Sequence, residues 1–382
     1  MGSVAKDPIN QKTSIADRGT RAVNFEALRI LSMLMIVTYH CMVHGNVMNN
    51  VPAYSVNWLL YSLFYPLLQV GVNCYVLISG YFLCDSRFKA SKMLNLWSTT
   101  VFWSVGLRFF AIAISHAEVS IVEIVKAFIP ITQREYWFVT TYLLMYLCTP
   151  FLNSAIRHMT QRQHASALLM SFAVFIVLQN AFFWNNFTFA SDHSPIFFFI
   201  LYITSAYIRK YPPAKRNWGV RYLLAALMVF VLDTAVTLLS KRLLGYVFGG
   251  TAFTTFNSVP VYLESIFLFL AFRELRIQNK WLSKMILTIS PLIFGVYLIH
   301  DHNDIRSLLW VKLFHCHEWG NDPFLLARVF GTTAVVFLMA LLLEWLRKLI
   351  WKFAHVDDFL KYICERAERV WENLVSWILN KA

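Results

Sequence analysis

Arg29 and His40 share one apolar run, Asn24 to His40, whose centre is hydrophobic enough to cross a membrane carrying both with it. Ionisable side chains are costly in such a segment, so they mark a candidate site. Eleven residues at 1.5 Å each put about 16 Å between them along a helix, roughly half the hydrocarbon thickness. The two can then act from different depths of one cavity. A structural alternative stands beside this: Arg29 snorkels to one interface and His40 marks the other.

Two further clusters carry possible chemistry. Gly295-Val-Tyr-Leu-Ile-His300-Asp-His302 ends an apolar helix that brings His300 and His302 toward the depth of His40. Imidazoles there can accept a proton from a hydroxyl, or simply cap a helix end at the interface. A metal site from His300, Asp301, His302 and Asp304, or from His315 and His317, is the weaker reading, because histidines two apart face different sides of a helix. No metal is expected. At the other depth, Gly71-Val-Asn-Cys-Tyr-Val-Leu-Ile-Ser79-Gly80-Tyr81-Phe82 is followed by Arg87, Lys89 and Lys92. Small residues allow close backbone approach and the cations suit phosphates, while helix packing with a basic loop is the alternative. Arg108, Asp233 and Glu264 lie inside other apolar runs and read equally as buried partners or site residues. Tyr136 and Trp137 fit an aromatic belt.

The elements that must position these groups are membrane helices. Of 382 residues, 58% are apolar and only 14% charged, with a mean hydropathy of +0.53. Apolar runs at about 27–44, 57–83, 93–115, 136–153, 165–184, 195–209, 220–239, 259–272, 286–300 and 324–346 give an all-α bundle of ten expected spans. With the N-terminus inside, 25 Lys and Arg fall on cytoplasmic segments against 6 on the opposite loops, which predicts both termini inside. Orientation therefore accounts for the net charge of +13, and nucleic-acid binding is not expected. Residues 119–132 read as an interfacial or re-entrant piece. The first twenty residues lack an apolar leader core, so the first span is expected to direct insertion. We divide the chain into an N-terminal tail (1–26), a transmembrane domain (27–346) and a tail (347–382) whose amphipathic helix lies on the inner leaflet. The six cysteines have no paired spacing and read as small core residues.

Four motifs in order make the chain resemble the membrane acyltransferase 3 family: Asn24-x-Glu26-x-x-Arg29 with His40, Gly71-Val-Asn through Tyr81-Phe82, Tyr136-Trp-Phe-Val-Thr-Thr-Tyr142 leading to Pro150-Phe-Leu-Asn153, and Phe294 through His302. The resemblance implies a multi-pass enzyme of the bacterial plasma membrane that takes an acyl group, acetyl above all, from cytoplasmic acyl-CoA and O-acylates an envelope polysaccharide or lipid-linked glycan precursor. It implies catalytic roles for His40 and His300, and a donor site at Arg29, Ser79, Gly80, Arg87 and Lys89. Glu26, Trp137, Tyr142 and His302 are the implied substrate contacts. His40 acts either as general base or as an acyl-histidine relay. Some members carry a soluble hydrolase-like domain after the last helix; here a short tail is expected, so the protein either completes the transfer or passes the group to a separate protein. A glycan or lipid exporter using the same buried charges is the alternative function, although no inverted repeat or broken helix supports it.

Overall fold

The computed structural model describes residues 22–49, 51–52, 54–115, 120–133, 135–178, 191, 193–212, 218–245 and 255–379. The tail through residue 21, and the basic residues Arg134, Lys215, Arg216 and Lys381, lie outside the described residues.

Among the described residues the chain is helical, without strands. Its helices are α1 (Val23–His44), α2 (Val56–Leu83), α3 (Ala90–Ser115), α4 (Ile121–Phe128), α5 (Trp137–His158), α6 (Gln161–Phe172), α7 (Pro195–Lys210), α8 (Gly219–Leu244), α9 (Val259–Glu274), α10 (Lys280–Ile289), α11 (Ile293–His300), α12 (Asn303–Arg306), α13 (Leu325–Phe353) and α14 (Val356–Leu379). Side-chain oxygens set several of the starts. Ser55, Ser194 and Ser258 accept from backbone N–H groups at the heads of α2, α7 and α9, and Thr160 with Gln163 forms a capping box at α6. Pro291 breaks the run between α10 and α11 into a short 3-10 turn, since proline supplies no N–H.

Among the described residues seven helical segments are long and apolar enough to cross a membrane: α1, α2, α3, α5, α8, α10 with α11, and α13. The expected spans at 195–209 and 259–272 coincide with α7 and α9, which are shorter, while that at 165–184 includes most of α6 and the π turn after it, and its residues 179–184 lie outside the described residues. Leu223, Leu227, Leu232, Leu239 and Leu243 of α8 are all exposed, an arrangement suited to lipid rather than water. The protein is accordingly a multi-pass membrane protein. Within the 119–132 stretch, whose residue 119 lies outside the described residues, Ile121–Phe128 form α4, capped by Ser120, with Ile121, Val122 and Val125 exposed and Lys126 on Glu123 at 2.6 Å.

Glycine lets the central helices touch. A Cβ at Gly71 of α2 would lie 2.7 Å from the Ser32 carbonyl oxygen of α1. At Gly80 it would meet Ser205 Oγ, with Tyr202 Cα at 2.9 Å, so this glycine seats α2 on α7. On the far side of the bundle Gly295 of α11 faces Glu344 of α13. That carboxylate is buried and accepts from Trp103 Nε1 at 2.8 Å and from Arg347 at 2.8 and 2.6 Å. Gly71→Val forces a backbone contact apart, which costs about 1–3 kcal/mol by overpacking. Heating the detergent-solubilised protein and following the surviving monomer is expected to show a clear loss of thermal stability for Gly71→Val. Gly106→Val, where an added Cβ meets nothing within 4 Å, should leave it near wild type.

Candidate active site

Helical periodicity places Arg29 and His40 on the same side of α1. Eleven residues at about 100° each return to within roughly 20° of the starting direction. Met33, Ile36, His40, Val43 and His44 continue that stripe, and all of them line a cavity of about 210 Å³. Its other walls come from Leu68, Val72 and Tyr75 of α2, Trp137 and Phe138 of α5, Phe294 and Tyr297 of α11, and His193, Phe256, Asp301 and Arg306.

The hydrogen bonds at His40 fix its tautomer. His300 Nδ1 lies 2.5 Å from the Val296 carbonyl, which can only accept, so that nitrogen carries the proton and His300 Nε2 is an acceptor. His40 Nδ1 sits 2.9 Å from His300 Nε2 and 3.4 Å from Asp301 Oδ1, both acceptors. His40 therefore donates through Nδ1, and its Nε2 keeps a lone pair. A neutral imidazole held in this way can take a proton from a hydroxyl group.

Asp301 completes the constellation. The carboxylate is fully buried and accepts from Arg306 Nε at 2.9 Å, with His44 Nε2 at 3.3 Å on the same oxygen. Burial alone would push its pKa up. The imidazoles of His40 and His300, the hydrogen bond from His44 and the Arg306 guanidinium outweigh it and hold the carboxyl below the usual carboxylate range. His40, His44 and Asp301 offer donor atoms within 4.8 Å of one another, the spacing of a metal site. His40 Nδ1 and Asp301 Oδ1 already serve His300 and Arg306, while Asp301 Oδ2 has no hydrogen-bond partner, and the guanidinium brings a positive charge against the only carboxylate of the set.

Arg29 lines two further cavities of about 350 and 230 Å³ with Ser79, Lys92, Leu96 and Tyr142; the larger also has Asn95 and Thr99. Lys92, Asn95, Leu96 and Thr99 form an i, i+3, i+4, i+7 stripe on α3. Tyr75, Phe138 and Phe294 line both the larger of these cavities and the His40 cavity. One layer of aromatic side chains thus stands between a cationic chamber and a histidine chamber.

A family model described as an acyltransferase domain matches residues 23–346. The chain belongs to this acyltransferase 3 family. No curated protein and no solved structure matches it.

The acyltransferase 3 motifs divide into cavity residues and braces. Trp137 lines the His40 cavity, and its ring packs 4.0 Å from His193 and 5.7 Å from Phe256. Asn73 holds the Phe256 carbonyl at 2.8 Å, and Tyr136 donates to the Leu298 carbonyl at 3.0 Å, which ties α5 to α11. Tyr142 lines the Arg29 cavities rather than the His40 cavity. Glu26 is buried and pairs with Arg29 at 3.0 Å. Arg87 and Lys89 are exposed and outside these cavity walls, although the Lys89 backbone meets Tyr146, which lines the smaller Arg29 cavity. Gly80 is taken up by the α2–α7 contact. His302 is turned away from His40: its Nδ1 accepts from the Asp304 N–H at 3.2 Å as the cap of α12, and its Nε2 donates to the Ser104 carbonyl at 3.2 Å. Both ring nitrogens are used by backbone. Arg108 pairs with Asp304 at 2.9 Å, while Asp233 and Glu264 are buried without hydrogen-bond partners.

His44 and Arg306 were not singled out from the sequence, and Asp301 entered only as part of the weaker metal reading. The four-residue step from His40 to His44 was the available signal, because it puts both rings on one helix face. Asp301→Asn keeps the shape and removes the charge from a buried pair, so it is expected to destabilise the protein by about 3–5 kcal/mol at pH 7. The sign follows from the lowered pKa: the contribution is complete above the unfolded value near 3.9 and is lost as pH falls through the lower folded value. Thermal unfolding of wild type and Asp301→Asn should therefore differ by a constant amount from pH 7 to about 4 and converge only below it.

Proposed function

We propose that the protein is an integral-membrane O-acyltransferase that moves an acetyl group from acetyl-CoA to a hydroxyl of an envelope polysaccharide or its lipid-linked precursor. The observation that carries this reading is the pair of chambers on one face of α1, cationic at Arg29 and basic at His40, meeting at Tyr75, Phe138 and Phe294. Such an arrangement suits two substrates that approach from opposite sides and react at one depth. The distribution of Lys and Arg supports this orientation, with the Arg29 end facing the cytoplasm and the His40 end outside, in what the reading takes as a bacterial plasma membrane.

The donor end fits a CoA thioester. Arg29 and Lys92 supply cations for phosphates, with Ser79, Asn95 and Thr99 as hydrogen-bonding neighbours. Arg87 and Lys89, exposed on the same loop, add to the field that attracts the anion. The thioester then passes toward His40 between the aromatic residues. At the acceptor end Trp137, Phe256 and Tyr39 offer flat apolar surface for the face of a sugar ring.

In the reaction His40 Nε2 takes the hydroxyl proton as the oxygen attacks the thioester carbonyl. The carbon–sulfur bond breaks, and the imidazolium returns its proton to the departing CoA thiolate. Asp301 at 3.4 Å stabilises the imidazolium in between, and His300 keeps the ring oriented. General-base action of this kind is typically worth 10²–10⁴-fold in rate.

Acetyl transfer from labelled acetyl-CoA to envelope glycan by the purified protein, with mass-spectrometric location of the ester, tests the reading directly. His40→Ala is expected to lower transfer by at least 10²-fold while leaving CoA binding in place. Transfer at the wild-type rate by His40→Ala, or export of an unmodified glycan that this substitution does not affect, overturns the assignment. Arg29→Ala is expected to weaken CoA binding at least tenfold in isothermal titration, with a smaller effect on the acceptor KM; unchanged CoA affinity removes Arg29 from the donor site.

A further inference from the structure

Cys41 follows His40 on α1, and Cys316 opens a 3-10 turn, Cys316–Asn321, in the segment that joins Arg306 to α13. Both side chains are fully buried, and the Cys316 thiol neighbours that of Cys41. Gly45 makes the approach possible. One turn beyond Cys41, a Cβ there would lie 2.6 Å from Cys316 Cβ and 3.3 Å from its Sγ. The loop is thus seated on α1 through Cys316, against the same stretch of helix that presents His40 and His44. The other four cysteines stand apart from this pair: Cys74 turns to the Ser265 carbonyl and Cys84 to that of Tyr81, while Cys148 lies on α5 and Cys364 on α14.

We propose that Cys41 and Cys316 are a covalent modification site, joined as a disulfide when the protein matures in an oxidising compartment. Two thiols brought together from a loop and a helix need only lose two protons and two electrons to form the sulfur–sulfur bond. The oxidant is a disulfide of protein or low-molecular-weight type outside the cytoplasm, which leaves as two thiols. Both sulfurs are buried in the folded protein, so the exchange occurs before the 316–321 turn docks on α1. Afterwards the fold shields the bond from reductants. The bond fastens the segment that carries Asp301 and Arg306 to the His40 helix at a second point. The inference rests on the orientation given above, with the His40 end outside, and is independent of acyl transfer.

The test is thiol counting on protein taken from cells, denatured and alkylated with or without prior reduction. Four labelled cysteines without reductant and six after reduction are expected, with a linked peptide containing Cys41 and Cys316 in the mass spectrum. Cys41→Ser and Cys316→Ser should each give five labelled cysteines under both conditions. Six labelled cysteines in unreduced wild type overturn the proposal, as does a Cys316 that stays blocked in Cys41→Ser. A separate arm locates the cause of a failure. In the Cys41→Ser/Cys316→Ser background, Glu318→Cys on the exposed turn is treated on intact cells with a membrane-impermeant maleimide. Labelling there together with six free thiols in wild type places the fault in the pairing; protection places it in the orientation.

Discussion

The structure depends on one contact between two helices far apart in the chain, the 2.9 Å hydrogen bond from His40 of α1 to His300 at the end of α11. A histidine can serve as a base only if one ring nitrogen is held and the other left open. In water the solvent holds the first. In a buried site another side chain must do it, and that side chain needs a fixed tautomer of its own. His300 obtains one from the Val296 carbonyl within its own helix. The direction of every hydrogen bond in the row, Val296 to His300 to His40, is therefore set by a backbone oxygen that cannot donate.

Holding that row imposes demands on the rest of the bundle. α1 must lie close to α2, which Gly71 permits, and α11 must lie close to α13, which Gly295 permits by giving way to Glu344. Glu344 in turn is fixed by Trp103 of α3 and by Arg347. Buried ion pairs such as Glu344–Arg347 and Asp301–Arg306 roughly break even in stability, because desolvation of two charges consumes most of the Coulombic gain. Their value here is geometric. A carboxylate that accepts from a guanidinium and lies against two imidazoles has few other orientations open to it, and Tyr136, donating to Leu298, pins the same helix end from α5.

The helices and the central histidine were legible in the sequence because both are local signals. An apolar run shows its own span, and a polar residue inside it shows itself as a cost. Partnerships across the chain left weaker marks. Arg87, Lys89 and Lys92 look equivalent as a basic cluster, yet only Lys92 falls within α3, on the stripe with Asn95, Leu96 and Thr99, and so reaches the cavity. Trp137 and Tyr142 belong to one motif, but five residues of helix turn them about 140° apart and raise one above the other by roughly 7.5 Å, which separates them into different chambers. His302 resembles His300 in type and position. It lies beyond the helix end, where its ring caps the next turn, and no periodicity could have distinguished the two.

The aromatic layer between the chambers has a consequence for acyl transfer as proposed. A thioester brought to a base through an open aqueous channel would meet water before it met a sugar, and the base that activates one hydroxyl would activate the other. Tyr75, Phe138 and Phe294 stand where the two cavities meet, and Tyr75 and Phe138 pack edge to face at 5.8 Å. Apolar walls at this point keep water from following the thioester and strengthen the charge interactions around His40 and Asp301. The separation of Arg29 and His40 along one helix face then sets both the distance the acyl carbon must reach and the barrier that protects it on the way.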